Sequence, residues 1–302
     1  MNKKRKIALY GVGGVLLLLF VAMNIFARST AHGLVTQPFE ERDPIDEAPS
    51  DYGIPFEEVT VTSEDGLTLH GWYIPTQNGA TVMVQHGYTS DRTAGLEEAD
   101  ILYRNGYGVL VTSVRTHDLN EGELITFGLL EMQDMDAWYQ FLLVQDEFDN
   151  DKLGIIGNSM GGSIVIQYAA QNESIGVIVA NSPFSSLDDT ISTSVTYFTG
   201  LPPFPFAPMI AFWAEQEMGF QTSEINATLW VAELSPRPIL LMQGGQDVVV
   251  SVTSGETLYE AAGEPKELWY EPELGHTDFD RDMPEEYERR VIALLDAYLL
   301  GD

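Results

Sequence analysis

The feature that most restricts how this chain can fold is its rhythm from residue 56 onward, where short apolar runs alternate with longer amphipathic stretches. Residues 81–84, 108–111, 153–156, 176–179, 238–241 and 266–270 read as strands, and 96–104, 129–148, 160–171, 252–262 and 285–299 read as helices. Strands that are apolar throughout must be covered on both faces, and a helix between successive strands lets them run parallel. Ahead of them, Val59 and Val61 alternate with polar residues, Glu64-Asp65-Gly66 supplies a turn, and Leu67, Leu69 and residues 72–74 continue outward as a hairpin. The expectation is an α/β fold built on a mostly parallel eight-stranded sheet with helices on both faces. Residues 184–234 break the rhythm with aromatic residues and Pro202-Pro203 but no clear strand, and read as an insertion over one edge of the sheet.

Upstream lies a different kind of chain. After the basic segment 1–6, residues 7–26 carry no charge and are long enough, at about 1.5 Å per residue, to cross a bilayer once. The stretch exceeds the usual apolar core of a signal peptide, so an uncleaved anchor is favoured, with cleavage near Ser29-Thr30-Ala31 as the alternative. Either way the basic residues remain cytoplasmic and the domain at 53–302 is extracytoplasmic, secreted if the segment is cleaved. Residues 27–52, with Pro38, Pro44 and Pro49 and five acidic residues between Glu40 and Glu47, are expected to be a tether that isolates that domain from the membrane helix.

All the basic residues of the first 30 positions, five of them, are unopposed by any acidic residue. The remainder holds 10 basic against 46 acidic residues, a net charge of −36. Such a surface repels nucleic-acid phosphate, so no nucleic-acid partner is expected. The complete absence of cysteine excludes a disulfide scaffold, a Cys-ligated metal and a Cys nucleophile.

Directly after the strand at 153–156 stands Gly157-Asn158-Ser159-Met160-Gly161, a G-x-S-x-G sequence. A serine presented on a sharp strand-to-helix turn needs small residues on either side and a helix starting at once, and all these are present. A serine hydroxyl is a poor nucleophile until a histidine, oriented by a carboxylate, takes its proton. Of the five histidines, His32 falls in the tether, His70 in the hairpin, and His86 and His117 precede the serine, leaving His276 just after the last strand. Asp247 lies in the glycine-loosened loop after the strand at 238–241, where ligands meet open α/β sheets. Each has a plain structural alternative: Asp247 as a helix N-cap and His276 as a loop histidine. The Gln85-His86-Gly87-Tyr88 loop can turn the backbone N–H of Tyr88 toward the same spot as that of Met160, forming an oxyanion hole, with His86 bracing the loop.

The elbow, the His-Gly loop, Gly244-Gly245-Gln246-Asp247 and Gly275-His276 together resemble the α/β-hydrolase superfamily, particularly its membrane-anchored bacterial serine hydrolases with a short cap. The resemblance spans residues 56–300 and implies Ser159, Asp247 and His276 as catalytic residues, Tyr88 and Met160 as oxyanion donors and 184–234 as the cap. One departure is the loop Arg115-Thr116-His117-Asp118, which lacks the family's Gly and Ser and bears on the pocket wall.

The soluble part has no metalloprotease, P-loop or dinucleotide signature, so no metal and no cofactor is expected. The reading is a serine hydrolase acting on a small-molecule or lipid-like acyl ester, thioester or amide, with Phe206 and Trp213 of the cap walling an apolar pocket. Its rivals are a catalytically silent binding protein of the same fold and an acyltransferase using the same residues. The sequence does not fix the oligomeric state.

Overall fold

The computed structural model describes residues 3–36 and 45–301. Helix α1 (Lys3–Thr36) is followed by the hairpin strands β1 (Glu57–Thr62) and β2 (Thr68–Ile74). Then come β3 (Thr81–Gln85), α2 (Leu96–Arg104), β4 (Gly108–Thr112), α3 (Glu131–Leu142), β5 (Leu153–Asn158), α4 (Met160–Gln171) and β6 (Ile175–Asn181). Helices α5 (Leu187–Thr199), α6 (Pro203–Met218) and α7 (Ala227–Val231) intervene before β7 (Ile239–Gly244), α8 (Ser254–Ala261), β8 (Lys266–Glu271), α9 (Phe279–Asp282) and α10 (Pro284–Leu295).

The strands form one eight-stranded sheet in the order β1-β2-β4-β3-β5-β6-β7-β8. Only β2 runs antiparallel to its two neighbours, and every pairing from β4 to β8 is parallel. Side-chain alternation divides the apolar runs between two cores. Met83, Leu110, Ile155, Ile178 and Leu241 point to one face, and Val84, Val111, Ile156, Val179 and Met242 to the other. Helices α3 and α4 cover the first face, and α2 and α10 the second. Because the strands are parallel, their carboxyl ends gather along one edge, and the loops that follow β3, β5, β7 and β8 meet there.

Helix α3 stops at Leu142, short of the stretch expected to run to residue 148. Its start is fixed by the buried Glu131 carboxylate, which accepts the N–H groups of Thr126 and Gly128 at 2.8 Å each. The region 184–234 is helical, built from α5, α6 and α7, with one isolated bridge between Ser186 and Asn226.

The segment that departs most from expectation is the tether. Its first part, 27–36, continues α1 without a break, while 37–44 lie outside the described residues. Ala27, Ala31 and Val35 recur at a four-residue spacing and are fully buried where α1 packs on α6. Small residues in that stripe let the two helices approach closely, so this face is built to be covered. Ile45 and Ala48 also pack against the second core. Among the described residues, then, the α/β domain is not insulated from α1; the helix is one of its packed elements. Removing residues 1–26 should therefore leave the thermal midpoint nearly unchanged. Removing 1–36 should lower it by more than about 5 °C, since burying one Val contributes about 1.5–3 kcal/mol and the α6 face loses its cover as well. Scanning calorimetry of the two truncations checks this.

Candidate active site

Ser159 stands between the end of β5 and the first residue of α4 with φ 55° and ψ −119°, a backbone conformation rarely occupied by residues with side chains. The flanking sequence makes the turn possible. A Cβ on Gly161 would collide with the carbonyl oxygens of Gln85 and His86, and one on Gly157 with the carbonyl of Gly161. The Ser159 N–H donates to the Asn181 carbonyl of β6 at 2.8 Å, tying the turn to the neighbouring strand.

The turn directs Ser159 Oγ toward His276, whose Nε2 lies 2.7 Å away. On the other side of the ring, Nδ1 is 2.7 Å from Asp247 Oδ2. A carboxylate accepts, so this contact places the ring proton on Nδ1 and leaves Nε2 to accept from the serine hydroxyl. The second oxygen of Asp247 accepts the N–H groups of Val249 and Val250 at 2.9 and 2.8 Å, which fixes the carboxylate's orientation. Asp247 thus caps a local turn and faces the histidine at once; α8 begins only at Ser254. Sequence reading missed Ser182, which follows β6 with a positive φ of 50° and accepts the Thr277 N–H at 3.1 Å, bracing the His276 loop. A polar Asn-Ser-Pro run ending an apolar strand was the available signal.

Opposite the elbow, the His86-Gly87-Tyr88 loop comes so close that a Cβ on Gly87 would stand 2.9 Å from the Ser159 Cβ. Tyr88, Met160, Ser159 and His276 line one cavity of about 230 Å³. His86 lies behind it as a brace. Its Nδ1 donates to the Gly87 carbonyl at 2.7 Å and its Nε2 accepts the Val114 N–H at 3.1 Å, while burial holds the ring's pKa down at about 4. The His117 ring lies beside it, tilted by 60° at 5.3 Å, and accepts the Thr89 N–H at 3.3 Å. The atypical 115–118 loop is therefore a support for the His86 loop, and Arg115 is held inside by Asp134 and Asp65 at 2.6 and 3.0 Å.

The aromatic residues expected to wall the pocket lie elsewhere. Phe206 packs edge-on against Phe26 at 5.6 Å, and Trp213 lies under the Arg28 guanidinium at 5.3 Å; both belong to the contact of α6 with α1. The cavity over Ser159 is walled instead by Phe127, Phe184, α5 residues including Leu187, Ile191, Tyr197 and Phe198, and Leu34 of α1. Ser159 and His276 also line another cavity, of about 380 Å³, together with Ser90, Thr93, Glu97, Asp280 and Arg281. Tyr88 ties the site to α1, since its hydroxyl donates to the Leu34 carbonyl at 3.0 Å, and Ile125 N–H donates to the Val35 carbonyl at 2.6 Å. The open carbonyls of the last turn of α1 thus find partners around the site. No group of metal-ligating side chains occurs among the described residues.

The sheet order and the elbow define the α/β-hydrolase class of enzyme, and known proteins agree. The profile of the X-Pro dipeptidyl-peptidase (S15) family matches residues 56–201. Rv2307c of Mycobacterium tuberculosis is 30% identical over 243 residues, covering 80% of this chain and 76% of its own. YqkD of Bacillus subtilis is 26% identical over 212 residues, or 69% of each chain. Among solved structures, the Pyrococcus furiosus esterase Pf2001 superposes with a TM-score of 0.73 at 28% identity, over 86% of this chain and 97% of that one. The chain belongs to the α/β-hydrolase superfamily.

Beneath the elbow the Asn158 side-chain amide donates to the buried Glu98 carboxylate at 2.8 Å. Burial, aided by the nearby Asp280 carboxylate, pushes Glu98 from its ordinary 4.5 up to about 8. The folded state therefore keeps a proton that the unfolded chain releases, and the associated stability, complete below the ordinary value, declines as pH rises to about 8. Glu98→Gln retains an acceptor for Asn158 and cannot ionise. Its thermal midpoint should match the parent's near about pH 5 and exceed it by several degrees at about pH 8, read by thermal unfolding across that range.

Proposed function

We propose that the protein is a serine hydrolase that cleaves acyl esters, thioesters or amides through an acyl-enzyme formed on Ser159. The observation that carries this reading is the unbroken hydrogen-bonded line from Ser159 Oγ through His276 to Asp247, at 2.7 Å for each step. As Oγ attacks the acyl carbon, His276 Nε2 takes the hydroxyl proton and Asp247 stabilises the imidazolium that results. The oxyanion is received by the backbone N–H groups of Tyr88 and Met160, the latter at the positive end of α4. The imidazolium then gives its proton to the leaving oxygen, sulfur or nitrogen, and a water activated by the same histidine releases the acid. His86, held neutral by burial, has no part in this transfer.

Ester cleavage is favoured over peptide cleavage because the likeness to an esterase covers 86% of this chain, whereas the peptidase-family match ends at residue 201, before Asp247 and His276. The segment within Tyr10–Thr36 that is long and apolar enough to cross a membrane is read as an anchor, with Lys3, Lys4, Arg5 and Lys6 on the cytoplasmic side.

Ser159→Ala should abolish labelling by a fluorophosphonate probe and lower p-nitrophenyl ester hydrolysis by about 10⁴-fold or more while leaving the thermal midpoint intact. Asp247→Asn should keep the fold but favour the wrong tautomer of His276, again with a loss of about 10⁴-fold in kcat. A parent protein inert to the probe would instead identify a binding protein, and ester products carried onto added alcohols would identify an acyltransferase.

A further inference from the structure

The cavity over Ser159 does not end at Leu34. A second cavity, of about 210 Å³, adjoins it and shares Leu34, Tyr88, Thr89, Ile191, Ser194 and Phe198 as walls, then continues past Thr30 and Val195. Its two sides are single helix faces: Thr30 and Leu34 four residues apart on α1, and Ile191, Val195 and Phe198 along α5. The result is an apolar groove that leaves Ser159 and runs between α1 and α5, back toward the exposed apolar part of α1. From Leu34 to Phe26, where that part begins, the distance along the helix is about 12 Å at 1.5 Å per residue.

The groove's surroundings indicate what fills it. Tyr197, Phe198, Phe204 and Phe212 of the cap are between 51% and 80% exposed on a protein whose net charge is −31. The rings of Tyr197 and Phe198 meet at 5.0 Å, and an exposed aromatic pair on so acidic a protein marks a contact with something apolar. Phe206, on α6, packs against Phe26 at the end of the apolar part of α1. Just beyond it Arg28 covers Trp213, a charged and aromatic pair of the kind that sits at lipid headgroup level.

From this we infer that the acyl chain enters from the bilayer, along the groove between α1 and α5, and that the substrate is a long-chain ester of a membrane lipid. The inference rests on the catalytic reading above and adds to it the substrate class and the route. In the first step the ester C–O bond breaks as the bond from the acyl carbon to Ser159 Oγ forms, and the serine proton passes through His276 to the departing alcohol. Water then takes the acyl group, and the fatty acid leaves.

The absence of cysteine gives a direct test. The full chain carrying Thr30→Cys is placed in phosphatidylcholine vesicles, and a bulky maleimide is attached to the folded protein at that single thiol. The ratio of kcat/KM for hexadecanoyl over butanoyl esters should fall at least about tenfold on modification, because only the long chain loses apolar contact with the blocked groove. Ser194→Cys treated in the same way gives a second block from the α5 side should the first variant fold poorly. A ratio that stays put in both, with fluorophosphonate labelling of Ser159 retained, would overturn the groove and leave the catalytic reading standing. Absence of labelling before modification would overturn both. A second arm separates the sources of the chain: an ester lipid in the enzyme's own vesicles should be hydrolysed at least about tenfold faster than the same lipid in protein-free vesicles, since sharing one bilayer raises its effective concentration. Equal rates would overturn the bilayer route.

Discussion

The site depends on how closely the start of α4 presses against the end of β3. Gly161 touches the carbonyls of Gln85 and His86, leaving no room for any side chain, and this contact seats the elbow between β3 and β6. A backbone such as that of Ser159 costs of order 1–3 kcal/mol and persists only where its surroundings over-determine it. Here the bond to the Asn181 carbonyl, the glycines on both sides and the helix that follows at once all act on the same residue. The same approach brings Gly87 against Ser159, sets Tyr88 beside the cavity, and through the Tyr88 hydroxyl reaches the end of α1. One tight backbone contact thus positions a candidate nucleophile, a candidate oxyanion donor and a wall of the pocket.

The acidic composition conceals how the few basic residues are used. Arg92 is buried between Glu58 and Asp118, each 2.8 Å away, and Arg115 between Asp134 and Asp65. Arg237 donates to the carbonyls of Ala169, Asn172 and Ile175, closing the end of α4 and the start of β6. A guanidinium can serve several acceptors in one plane, which suits it to such interior joints. Arg92 and Arg115 each take a buried acidic partner inside with them, Asp118 and Asp134, so the outer surface keeps its large acidic excess.

The strands were legible because an apolar run covered on both faces leaves few alternatives, and α4 was legible to the residue because the elbow forces a helix to begin at Met160. Ser159, Asp247 and His276 could be singled out because each follows a strand directly, so a parallel sheet brings their loops to one edge. Composition failed where orientation mattered. Phe206 and Trp213 are aromatic members of the cap, but they lie on the side of α6 that faces α1, whereas the pocket is walled by α5. Nothing in a list of aromatic residues says which way a helix is turned. Leu34 lies in the stretch expected to be a tether, so the four-residue spacing of Ala27, Ala31 and Val35 beside it gave no helix face to orient.

Helix α1 carries two patterns laid end to end. From Tyr10 to Phe26 most of its large apolar side chains are exposed, and from Ala27 onward small residues at helical spacing are buried against α6. A helix does not bend freely between its turns; sharp kinks need a proline, a glycine pair or a bulge, and α1 from Val15 to Thr36 contains no proline and no paired glycines. Whatever solvent surrounds its first part, that part therefore points in a direction fixed by how its last part is packed. A flexible tether would let the cavity face anywhere. A continuous helix that is packed on the cap, hydrogen-bonded through Tyr88 and Ile125 and lining the cavity at Leu34 allows one orientation, and it directs the groove along its own axis toward the apolar segment.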